Sequence, residues 1–95
     1  MDTNEFSTKL KETILTKDKQ ETMRMLTELK ELVRTNVEFT GWITEPVNLT
    51  TIKQMLIDNL NVQPRAMQLK QRPSTRRQRA LMFSIALENG VKHIL

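Results

Sequence analysis

The sequence predicts an all-α fold, a single small domain of four to five helices, and three observations carry that reading. Apolar residues recur at helical spacing in several separate stretches. Glycine and proline are scarce, two and three in 95 residues, and none falls within residues 1–40. Where Asn, Asp, Ser and Pro do punctuate the chain, they stand where helices start and stop. The order reads as a helical hairpin over 1–35, a connector over 36–49 and a basic, helix-turn-helix-like region over 50–95.

The first helix is placed over 4–15 by Phe6, Leu10 and Ile14, four residues apart, with Leu15 beside them. The polar stretch 16–21 breaks that stripe. Asp18 and Glu21 have the spacing of a capping box, with Asp18 as N-cap of a second helix running to Arg34. Met25, Leu26, Leu29, Leu32 and Val33 are its apolar face. A short break of this kind joins antiparallel helices; one continuous helix of about 30 residues is the competing picture. The stripe is expected either to pack internally or to make a homodimer.

Residues 36–49 contain Gly41 and Pro46 and few strong helix formers. They are expected to be a connector, with a short extended piece over 37–39. Trp42, the only tryptophan, is expected to plug the core beneath it, rather than stack on a ligand.

A third helix is expected over 51–60, capped by Thr50 or Thr51, with Ile52, Met55, Leu56 and Leu60 as its stripe. Asn61 can adopt the left-handed conformation that stops it. Pro64 suits the first turn of a following short helix, which Pro73 ends. Ser74 is the expected N-cap of a last helix from Thr75 to Asn89. Leu81, Met82, Ile85 and Ala86 should face the core, Phe83 and Leu87 should widen the face, and Gly90 should be a left-handed C′ residue.

Charge is distributed unevenly. Lysine and arginine number 15 against 11 acids, a net of +4. Residues 1–45 carry nine acids and seven bases, whereas residues 59–95 carry seven bases and one acid, Glu88. Six bases lie between Arg65 and Arg79 with no acid among them. Such a block suggests a polyanionic partner.

Within this block the segment 52–72 has the order helix, tight turn, short helix. Asn61, Val62 and Gln63 meet the needs of a helix-turn-helix, and Met67 would point inward. Arg65, Gln68, Lys70, Gln71 and Arg72 would then lie on the outer side of the second helix, with Gln68 and Gln71 suited to base edges. Ile57 is bulkier than such a motif usually has before its turn. Arg76, Arg77 and Arg79 follow at the start of the last helix, where cations oppose the helix dipole and need a compensating anion. That anion is expected to be a nucleic-acid phosphate. The alternatives are internal pairing with Glu28, Glu31 or Glu38, and an acidic surface on a protein partner.

Composition narrows the chemistry further. Without cysteine there is no disulfide or thiolate metal site. One histidine, no tyrosine, and neither an HExxH nor a phosphate-binding glycine loop leave no visible catalytic apparatus. A non-enzymatic role is expected, with no cofactor or metal. No apolar run approaches the ~18 residues needed to span a bilayer. The opening residues, with Asp2 and Glu5, lack the apolar region of a secretory signal, so a cytoplasmic protein is expected. A chain of this size buries only about 62–65% of its unfolded surface, which demands efficient packing.

Overall fold

The computed structural model describes residues 1–95. It is all-helical: α1 (Thr3–Leu15), α2 (Lys19–Thr35), α3 (Val37–Thr44), α4 (Pro46–Leu60), a 3-10 turn (Pro64–Met67) and α5 (Arg76–Lys92). No helix is long and apolar enough to cross a membrane.

The N-terminal half follows the apolar pattern closely. Phe6, Leu10 and Ile14 of α1 are fully buried, as are Met25, Leu26, Leu29 and Val33 of α2. The break between them is real. Lys17 takes a left-handed φ of 61°, and the Asp18 carboxylate accepts the Glu21 backbone N–H at 2.9 Å. One continuous helix is thereby excluded. The apolar stripe is used internally and is not exposed for a second copy.

The expected connector over 36–49 is instead helical: it holds α3 and the first turn of α4. Asn36 caps α3 by accepting the Glu38 N–H at 2.9 Å. Phe39 and Ile43, one turn apart, bury completely, and Thr40 donates its hydroxyl to the Val33 carbonyl. Pro46 is no interruption, because it stands at the start of α4, where a missing N–H costs nothing. Thus α4 begins at Pro46 rather than at Thr50 or Thr51. Trp42 is half-buried at the core edge, its ring edge-to-face with Phe6 at 6.0 Å; Phe39 meets Phe6 similarly at 5.5 Å.

α5 is the central element, packed against α2, α3, α4 and the 3-10 turn. Its core-facing residues are mostly small: Ala80, Ser84, Ala86 and Gly90, with Leu87 and Val91. The expected face was partly wrong. Ala86 and Leu87 are buried, and Leu81 and Phe83 pack half-buried against the core, but Met82 and Ile85 are half-buried away from it. Small side chains let the surrounding helices approach closely, which pushes the bulky ones sideways.

Gly90 shows the same principle. It does not end the helix in a left-handed conformation; no glycine here has positive φ, and α5 runs on to Lys92. A Cβ at Gly90 would lie 2.6 Å from Met67 Cγ and 2.8 Å from Val62 Cγ1. The glycine is the seat on which the turn after α4 rests.

Candidate nucleic-acid interface

The turn that opens the basic region forms as its residues dictate. Asn61 is left-handed (φ 60°, ψ 33°), Val62 is buried behind it, and Pro64 starts the next helical piece. That piece is a single 3-10 turn of four residues, because Gln68 is already extended (ψ 142°). Met67 points inward as expected. Gln68, Lys70, Gln71 and Arg72 therefore do not stand on the outer side of a recognition helix. They lie in the irregular segment between Met67 and α5, all of them exposed.

The start of α5 is also one residue later than expected. Thr75, not Ser74, is the N-cap, accepting the Gln78 N–H at 3.1 Å. Ser74 completes the arrangement: its N–H and hydroxyl both donate to Gln78 Oε1, at 3.1 and 2.7 Å. Arg77 and Arg79 are exposed on the first turn of α5. Arg76 differs. Its Nε donates to Thr44 Oγ1 at 3.2 Å, and its Nη2 lies beside Gly41, 3.7 Å from where a Cβ would stand. The cation thus sits over the last turn of α3, where helix carbonyls favour positive charge. Arg76 is exposed like its neighbours, but the bond to Thr44 anchors it to α3.

None of the six bases forms an ion pair with a carboxylate. Glu28 pairs with Arg24 and Glu31 with Arg34 instead, and Glu38 pairs with no base. Internal neutralisation by these acids is therefore overturned. The one buried acid, Glu88, is committed to α2: it accepts Thr27 Oγ1 at 2.7 Å and Lys30 Nζ at 3.1 Å. Burial pushes its carboxyl up, but the bonds from Thr27 and Lys30 and the charges of Lys30 and Lys92 outweigh burial and hold it below the usual range.

The structure brings some of the expected residues together and separates others. Arg65, Gln68, Lys70 and Gln71 form one wall of an open groove of about 470 Å³. α5 supplies the rest of the lining, with Met82, Ile85 and the edge of buried Ala86 along the floor and Asn89 and His93 opposite the loop. A smaller recess of about 230 Å³ continues past Gln71 and Met82 to Arg72 and Gln78. Arg77 and Arg79 line neither, and Arg76 is turned to α3. Leu69, Met82, Ile85, Asn89 and His93 were not anticipated as lining a site. The available signal was the row on α5 at residues 82, 85, 89 and 93, which has helical spacing but whose apolar members, Met82 and Ile85, read as core.

No group of three or more His, Asp and Glu is placed to hold a metal ion. No family model matches the chain, and comparison with curated proteins and with solved structures returned no match.

Proposed function

We propose that the protein is a small, non-enzymatic nucleic-acid-binding regulator that holds phosphate through Arg65, Lys70, Arg72, Arg77 and Arg79. The observation that carries this reading is the crowding of these cations in one acid-free stretch, all of them exposed and unpaired, whereas unpaired lysines elsewhere, such as Lys9, Lys11 and Lys53, lie among acids in the sequence. The fold pairs Arg24, Lys30 and Arg34 with carboxylates but leaves the whole block between Arg65 and Arg79 without one. Exposed cations gathered without acids repel one another, and a phosphate backbone relieves that repulsion while releasing counterions. Gln68 and Gln71, exposed beside Arg65 and Lys70, have the amide groups that pair with base edges. Arg76, whose Nε is held by Thr44, is left out of this set.

Retention on heparin and on random-sequence duplex, titrated with salt, tests the proposal. Five phosphate contacts on a duplex correspond to a log–log salt slope of about −4.5. The triple variant R72A/R77A/R79A should reduce that slope by about 3. An unchanged slope would refute it. R76A should leave the slope nearly unchanged while lowering stability.

A second reading is favoured by one specific observation: the groove beside Arg65 and Lys70 has an apolar floor. A phosphate backbone makes no use of apolar floor, whereas a protein partner with an acidic surface does.

A further inference from the structure

The groove between residues 65–71 and α5 combines two properties that are otherwise separate in this molecule. Its floor is apolar, formed by Leu69, Met82, Ile85 and Ala86. Leu69 is among the few large apolar side chains left exposed, and Met82 and Ile85 are half-buried. Its charge is one-sided: Arg65 and Lys70 stand on the loop wall, Arg72 follows in the adjoining recess, and no acid lines either space. The α5 wall contributes Asn89 and His93, and Glu88 is buried away from the groove against α2.

From Gln78 to His93 the helix rises about 22 Å, room for a docked helix of about four turns. Met82 and Ile85 lie on one face of α5, and Leu69 closes the floor from the loop side, the geometry of helix-in-groove recognition. Methionine in such a floor adapts to the partner's side chains.

We infer that this groove docks an acidic amphipathic helix of a partner protein. The helix lays its apolar stripe on Leu69, Met82 and Ile85, and its acids face Arg65, Lys70 and Arg72 along one flank only. This inference rests on the acidic-partner reading above and does not depend on phosphate contacts. The charge pattern selects the occupant: a basic helix would be repelled by the loop wall, and a helix acidic on both flanks would find no lysine or arginine on the α5 wall.

The test is selection from displayed 16-residue helical peptides with an apolar stripe at i, i+3/i+4 and i+7. Three libraries carry acids on one flank, on the other flank, or on neither. The expected result is enrichment of one acidic-flank library, with amide NMR shifts confined to residues 65–72 and 78–93. Affinity should fall at least tenfold in M82A and I85A, which keep every charge. It should also fall several-fold in R65A/K70A and with added salt. Circular dichroism confirms that each variant remains folded. No enrichment, equal enrichment of the uncharged library, or shifts elsewhere would overturn the inference. Duplex retention measured on the same variants separates the two readings. M82A and I85A should retain the wild-type salt slope; if they lose duplex binding together with peptide binding, the groove is a nucleic-acid site and the helix-docking inference is wrong.

Discussion

Three buried positions carry consequences that single substitutions can read. At Gly90 a methyl group would collide with Met67 and Val62. G90A gains about 1 kcal/mol of helix propensity yet should lose about 1–2 kcal/mol net in urea unfolding, because overpacking outweighs it. In an M67A background the same substitution should cost less, since the nearest colliding atom is gone. Thr22 is fully buried, and its hydroxyl has no hydrogen-bond partner. T22V keeps the shape and removes the unsatisfied group, so stability should rise by about 1 kcal/mol. Glu88 gives the fold a pH dependence of definite sign. Its folded pKa lies below its ordinary value, so its stabilisation is present at neutral pH and is lost as pH falls through the acid range below about 5. E88Q should cost about 1–2 kcal/mol at pH 7 and much less near pH 3, measured as unfolding free energy against pH.

Turns and caps, rather than apolar stripes, decide where the elements end. Asn61 holds the left-handed position that turns the chain from α4 towards the 3-10 turn. A β-branched residue there should cost about 1–2 kcal/mol, so N61V should melt well below wild type while N61G remains close to it. Asn36 and Pro46 convert a segment of low helix propensity into α3 and the beginning of α4. The cap and the proline define the ends, and Phe39 and Ile43 supply the burial between them. At the far end of α3, Arg76 donates to Thr44. Removing that arginine should lower stability by about 1 kcal/mol. The same removal at Arg77, which is exposed and unpaired, should change stability little and phosphate binding more.

On the scale of the whole molecule, α5 organises the domain and divides its charge. One side packs on α2, to which Glu88 is tied through Thr27 and Lys30. The opposite side faces the basic loop and forms the groove. Of the acids in the N-terminal half, Glu21 and Glu28 pair with Arg24, Glu31 pairs with Arg34, Asp2 and Asp18 cap their helices, and none pairs with the basic block. The apolar stripes of α1 and α2 are consumed in the core. Self-association through them requires opening the domain, and the sedimentation mass should stay monomeric at micromolar concentration.

The all-α class, the burial of Phe6, Leu10, Ile14 and the α2 stripe, the cap at Asp18 and the left-handed Asn61 were all determined by local sequence. Each depends on periodicity or on backbone preference within a few residues. The uncompensated bases from Arg65 to Arg79 were also visible, because their charge block needs no structure to be counted. What tertiary structure alone decided was which side of each residue is occupied. Gly90 looks like a cap until Met67 is packed on it, and Arg76 looks like its neighbours until α3 ends beneath it. Met82 and Ile85 resemble core residues until α5 proves to be surrounded, leaving them on its flank. These outcomes depend on contacts between residues 20 or more positions apart, as in the Arg76–Thr44 bond. Local pattern specifies where helices form, but only long-range packing selects the face that remains for a partner.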